Sequence, residues 1–141
     1  MPRLYPPAPL AAAIAAVVRD GRVLLVQRAR EPEPRRWGFP GGAVELGETV
    51  TGAALRELAE ETGVAAAALG VFDAFDVIER DADGRVRTHF VVAAVACRWL
   101  AGDGIAASDA CALGWFDLDG IAALHVHPHL PRLAARVLGA T

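Results

Sequence analysis

Thr49 and Gly63 offer the two ends of one helix, and the span between them carries three glutamates close together. A threonine hydroxyl caps the free N–H groups of a first turn. Glycine is the residue that most easily takes the left-handed position after a last turn. The expected helix therefore runs from about Val50 to Thr62. A helix turns about 100° per residue, so with Glu57 at zero, Glu60 falls at about −60° and Glu61 at about +40°. Leu55, Leu58 and Thr62 fall on another face, which suits the core. Three anions within one turn repel one another. A hard divalent cation makes sense of them, because Mg²⁺ prefers carboxylate oxygens and leaves positions for water and phosphate. Taken alone, Glu57, Glu60 and Glu61 read equally well as a solvated acidic turn.

The chain has 141 residues, a length that suits one domain. We expect residues 1–9 to be an extended tail, since four prolines deny it helix hydrogen bonds, and residues 10–141 to form a single domain. With 54% hydrophobic and 22% charged residues, the composition excludes a disordered chain. A net charge of −3 argues against a nucleic-acid partner, which calls for a basic surplus. An acidic protein that handles phosphates needs a local remedy, such as a divalent cation or a few placed arginines. Cys97 and Cys111 form no metal-binding or redox spacing and read as reduced, buried small hydrophobes of a cytoplasmic protein. The apolar run Leu10 to Val18 is too short to span a bilayer, so no membrane partner is expected.

Along the chain, Ala11 to Val18, the turn Asp20-Gly21 and Val23 to Gln27 read as a β-hairpin. Its second strand is apolar on both faces, so it should be covered on both sides. Arg28 to Arg36 reads as a charged loop broken by Pro32 and Pro34, followed by Trp37-Gly-Phe-Pro-Gly-Gly, a tight path that something can approach closely. Strands follow at about Leu69 to Glu79 and Arg87 to Leu100, around the turn Asp81–Gly84. Ala101 to Ser108 reads as loop and Leu113 to Phe116 as a short strand. Helical segments near Leu118 to Leu124 and Pro131 to Leu138 close the chain. The fold class is α/β (α+β).

The helix segment fits a longer pattern, G-x5-E-x7-R-E-U-x-E-E-x-G-U with U aliphatic. The matching residues are Gly42, Glu48, Arg56, Glu57, Leu58, Glu60, Glu61, Gly63 and Val64. So many fixed positions in so short a stretch are far more specific than a lone glycine-rich loop. The segment resembles the signature of the Nudix hydrolases. The resemblance implies an α/β/α sandwich with a mixed β-sheet between helices. It also implies hydrolysis of a phosphoanhydride bond in a nucleoside diphosphate derivative, a small-molecule substrate, with Mg²⁺ bound and Mn²⁺ as its substitute. The implied metal ligands are Glu57, Glu60 and Glu61, with the Gly42 carbonyl added from the loop. Arg56 would pair with nearby carboxylates, Glu48 first, or form a plain i,i+4 pair with Glu60. The general base would be a glutamate of the motif or a carboxylate from a later loop, for which Asp109 is the candidate beside a plain turn reading.

Outside the motif, Arg28 and Arg36 are candidate phosphate clamps, each also readable as a surface arginine. Gly41 would lie against the substrate. Phe39, Trp37 and Phe75 could stack on a base or belong to the core. His89 reads as a packed strand residue; His125, His127 and His129 alternate in a way that would suit a stray transition metal. Tyr5-Pro-x-x-Pro, Trp37-Gly-Phe-Pro-Gly-Gly, Asp81-Ala-Asp-Gly-Arg and His89-Phe-Val-Val resemble a bacterial branch of ADP-ribose pyrophosphatases, which implies ADP-ribose as substrate. The alternatives are a nucleoside triphosphate pyrophosphatase that removes damaged nucleotides and, in another class, a non-catalytic domain that binds a nucleotide metabolite. A homodimer is left open by the apolar N-terminal hairpin.

Overall fold

A computed structural model of the chain describes residues 2–29 and 35–139. Strand β1 (Leu10–Arg19) and strand β2 (Arg22–Arg28) form the expected hairpin, with Val18 opposite Val23. Asp20 and Gly21 both take positive φ, 51° and 73°. Two left-handed residues in succession give the turn whose twist matches that of paired strands. Val23 to Val26 are at most 2% exposed, so β2 is covered on both faces as its unbroken apolar run predicts. Part of the charged loop expected over Arg28 to Arg36, including Pro32 and Pro34, lies outside the described residues.

Two short strands follow, β3 (Trp37–Gly38) and β4 (Gly41–Ala43), and then helix α1 (Val50–Thr62). The helix ends where its caps predict. Thr49 accepts a hydrogen bond from the Gly52 N–H, and Gly63, at φ 71°, donates to the Ala59 carbonyl. The long strands β5 (Ala65–Arg80) and β6 (Val86–Ala101) begin earlier than expected. The alanine-rich stretch that opens β5 lacks strand propensity but pairs with β6, with irregularities after Ala65 and between Ala68 and Gly70. Strand β7 (Ala110–Phe116), helix α2 (Leu118–Ala122) and helix α3 (Leu130–Gly139) complete the fold.

The sheet order is β3-β2-β1-β6-β5, with β4 added beside β1 and β7 beside β2. The sheet is mixed: β1 runs parallel to β6, and its other pairings are antiparallel. Alternate residues of β1 serve two cores. Ala13, Ala15 and Val17 face α1 with Leu58, while Ile14, Ala16 and Val18 face α3 with Leu133 and Val137. The result is the α/β/α sandwich that the resemblance implied. Leu58 is 1% exposed, so its truncation to Ala would cost about 2–5 kcal/mol.

Two features were not foreseen. Arg19 lies between two indoles, 4.0 Å from the Trp99 ring centre and 5.3 Å from that of Trp115, and pairs with Asp103 at 2.8 Å. Both indole N–H groups donate into the same loop, to the carbonyls of Gly102 and Asp103. The N-terminal residues are docked as well: the Tyr5 N–H donates to the Arg87 carbonyl at 2.7 Å and the Tyr5 hydroxyl to Asp81 Oδ2 at 2.8 Å. Cys97 is buried as expected, but Cys111 is exposed. It sits on β7 with its thiol toward the Gln27 carbonyl, where alternation turns it away from the core.

Candidate active site

A cleft of about 610 Å³ opens on the α3 side of the sheet. Helix α1 lies on the opposite side, yet Glu57, Glu60 and Glu61 line this cleft. Their route passes β4. A Cβ on Gly42 would stand 2.5 Å from Glu57 Oε1, and one on Gly41 would stand 2.4 Å from the Ala13 carbonyl oxygen. Side chains at these two positions would block the carboxylate and break the strand pairing with β1. Glycine is required here by close approach, as the Gly-Gly spacing suggested.

Glu61 is 8% exposed and accepts a hydrogen bond from the Gly41 N–H at 2.9 Å. Burial pushes its carboxyl up to about 7. The Gly41 bond opposes that shift, the neighbouring Glu57 charge adds to it, and Arg28 at the end of β2 pulls it back. Gly41, expected against a substrate, thus spends its amide on Glu61.

Arg56 organises the other carboxylates. Its Nε and one terminal nitrogen donate to the two oxygens of Glu48 at 2.7 and 3.0 Å, a bidentate pair. The guanidinium also reaches the Ala43 carbonyl at 3.1 Å, Glu57 at 3.0 Å and Glu60 at 3.3 Å. Both pairings raised for Arg56, with Glu48 and with Glu60, are present. The Arg56 guanidinium, together with the Glu45 N–H, holds the Glu48 carboxyl down at about 2. The site gathers less completely than the helical wheel predicts. Among the described residues no three acidic, histidine or cysteine side chains stand close enough together to hold a metal. Glu57 and Glu61 neighbour each other, whereas Glu60 is drawn outward to Arg56 and is half exposed. Repulsion within one turn and the adjacent guanidinium explain that divergence.

Asp109 also lines the cleft, directly after Ser108, which takes a left-handed φ of 57°. The preceding loop is tied to the end of α1, since the Ala107 N–H donates to the Glu61 carbonyl at 2.9 Å. Arg28 and Arg36 also line the cleft. Phe39 is only 5% exposed and belongs to the core on the α3 side, so it forms a wall and not a stacking plate. Trp37 packs edge-on against Phe116, at 5.1 Å between ring centres. His89 is half-buried in mid-strand opposite Ile78. His127 and His129 stack on each other at 5.1 Å, and Phe75 lies 4.7 Å from His129. Together these three rings form an aromatic wall of the cleft. Cleft residues that the sequence reading did not single out include Arg3, Glu79 and Thr88. For Glu79 and Thr88 the signal was the alternation Phe75-Val77-Glu79 and Thr88-Phe90-Val92, which puts each set on one face; Arg3 had none.

Residues 9–137 match the family model described as the NUDIX domain. An ADP-ribose pyrophosphatase of Methanocaldococcus jannaschii is 31% identical over 113 residues, which cover 80% of this chain and 64% of that one. A putative 8-oxo-dGTP diphosphatase 2 of Mycobacterium tuberculosis is 52% identical over 59 residues, 41% of this chain and 42% of that one. The chain thus spans less than two thirds of the length of either relative. The crystal structure of a MutT Nudix hydrolase from Burkholderia pseudomallei superposes with a TM-score of 0.78 at 35% identity, covering 92% of this chain and 97% of that one. No helix among the described residues is long and apolar enough to cross a membrane. On the match over residues 9–137, with Gly42, Glu57, Glu60 and Glu61 of the motif lining one cleft, the chain belongs to the Nudix hydrolase family.

Proposed function

We propose that this chain hydrolyses the phosphoanhydride bond of a nucleoside diphosphate derivative, with ADP-ribose, cleaved to AMP and ribose 5-phosphate, as the preferred substrate. The observation that carries this reading is the buried carboxylate Glu61, fixed by the Gly41 amide and set beside Glu57 at the floor of a nucleotide-sized cleft. Two neighbouring carboxylates in a desolvated corner are costly as a doubly charged pair. Their oxygens suit a hard divalent cation, so the donor set fits Mg²⁺, with Mn²⁺ as its substitute.

Glu57 and Glu61 would hold the metal, joined by Glu60 and the Gly42 carbonyl. When bound, such an ion polarises phosphoryl oxygens and lowers the pKa of water. Arg56 is a positioning residue: it fixes Glu48 and Glu57 and ties the loop after β4 to the helix. Arg28 and Arg36 supply positive charge for the phosphates. Glu60 and Asp109, which both line the cleft, are our candidates to accept a proton from the attacking water. The rings of Phe75, His127 and His129 offer a flat surface on which a base can stack.

The Methanocaldococcus relative supports the choice of ADP-ribose. A second reading, removal of damaged nucleoside triphosphates, is favoured by the higher identity to the mycobacterial diphosphatase over its shorter span. A binding-only role is disfavoured, because Glu57, Glu60 and Glu61 are all retained. Turnover of ADP-ribose and of a nucleoside triphosphate panel, each with Mg²⁺ and with EDTA, tests the proposal. We expect Mg²⁺-dependent release of AMP. A hundredfold preference for any triphosphate would overturn the choice of ADP-ribose, and equal activity in EDTA would overturn the metal.

A further inference from the structure

The cleft does not end at the carboxylates. Its floor along β5 and β6 consists of three cross-strand pairs: Phe75 with Val92, Val77 with Phe90, and Glu79 with Thr88. Toward the hairpin tip this floor reads apolar, apolar, polar. The last pair is already coupled, since the Thr88 hydroxyl donates to Glu79 Oε1 at 3.1 Å. Both side chains are half-buried and face the cavity.

Arg3 reaches the same cleft from the N-terminal segment. Its placement is fixed two residues away. Tyr5 is held by its backbone bond to Arg87, its hydroxyl bond to Asp81, and the Arg85 guanidinium 4.6 Å above its ring. Tyr5 also takes a left-handed φ of 51°, a conformation costly for a residue other than glycine and kept only where contacts enforce it. The segment is thus strapped to the hairpin tip, and its Arg3 lines the same cleft as Glu79 and Thr88. A backbone tied down in advance loses less freedom when a ligand binds.

We propose that Arg3, Glu79 and Thr88 form a subsite for the sugar-phosphate end of a nucleoside diphosphate sugar. A carboxylate is an acceptor that suits neighbouring ring hydroxyls and repels phosphate. A guanidinium is a fork of donors that suits phosphate oxygens. A ligand with both groups satisfies the pair, whereas a nucleoside triphosphate carries no second sugar. The inference rests on the reading of the cleft as a nucleotide site and selects the sugar-containing substrate class within it.

The test is calorimetric titration of the metal-free full chain with ribose 5-phosphate, for the unaltered protein and for Arg3→Ala, Glu79→Gln and Tyr5→Ala. Thermal melts of each variant confirm folding, and ADP-ribose turnover of the unaltered protein with Mg²⁺ is measured in parallel. We expect ribose 5-phosphate to bind and each variant to weaken it by about tenfold or more, the loss expected for one charge-assisted contact. Affinity unchanged in folded Arg3→Ala and Glu79→Gln proteins, or no binding to the unaltered chain, overturns the subsite. Binding that depends on Arg3 and Glu79 without any turnover of ADP-ribose upholds the subsite and overturns the enzymatic reading instead.

Discussion

Gly42 and Glu57 interlock: the space a Cβ would need on the glycine is filled by the glutamate's carboxylate, with Oε1 2.5 Å from the would-be carbon. The glycine belongs to β4 and the glutamate to the helix on the far face of the sheet, so this contact lets a carboxylate reach the cleft. Gly42→Ala should therefore displace Glu57 without unfolding the protein. We expect a loss of about 10–100-fold in kcat and in Mg²⁺ affinity, the usual scale for disturbing a ligand's support. Normal turnover with a normal melt would show that Glu57 need not sit where it does.

Arg56 gives a second test, because its fork geometry is used in full. Lysine keeps the charge but cannot bond Glu48 bidentately while reaching Ala43 and Glu57. Arg56→Lys should lower stability by about 1 kcal/mol and kcat by about tenfold. Denaturant unfolding and steady-state rates check this. Full retention of both would reduce Arg56 to an ordinary surface ion pair.

Two glutamates give opposite pH signatures. Glu61 is raised from its ordinary 4.5 to about 7, so the folded state holds its proton longer than the unfolded chain does. Its stabilising effect is complete below 4.5 and is lost as pH rises through about 7. The melting temperature of metal-free protein should fall over that window relative to Glu61→Gln, and Mg²⁺ should remove the difference. Glu48 is lowered from 4.5 to about 2, so its contribution is present above 4.5 and is lost as pH falls through about 2. Parallel melting curves for native and Glu61→Gln proteins between pH 4.5 and 7 would contradict the buried, coupled setting of Glu61.

Glu60 and Asp109 are the two proton acceptors proposed above, and amide variants tell them apart. Replacing the residue that accepts the proton by its amide should lower kcat by several orders of magnitude. The other should change rates far less. Steady-state rates of Glu60→Gln and Asp109→Asn separate them. If neither variant lowers kcat, the base lies elsewhere.

The parts legible in the sequence were those set by near neighbours. Thr49, Gly63 and the spacing of Glu57, Glu60 and Glu61 fix one helix through contacts three or four residues apart. Asp20-Gly21 fixes a turn by the same local logic. The divergence of Glu60 was not legible, because a wheel gives directions and not the pull of Arg56. The Gly-Gly spacing announced a close approach but not its partner, since Glu57 meets Gly42 across the sheet. The docking of Tyr5 on Asp81 joins residues 76 positions apart, and the Arg19–Asp103 pair joins residues 84 apart. Neither leaves any periodic trace. His127 and His129 suggested a metal by type, yet in the fold they stack as rings.

The segment after β6 has no regular secondary structure, yet the Ile105 N–H bonds to the Thr62 carbonyl and the Ala107 N–H to the Glu61 carbonyl, each at 2.9 Å. These are carbonyls that the last turn of a helix leaves without intrahelical partners. In amide hydrogen exchange, Ile105 and Ala107 should therefore open together with the end of α1 and resist deuterium like helical positions. The carboxylate of Asp109 rides on that shared unit, so irregular backbone here should behave as rigid scaffold.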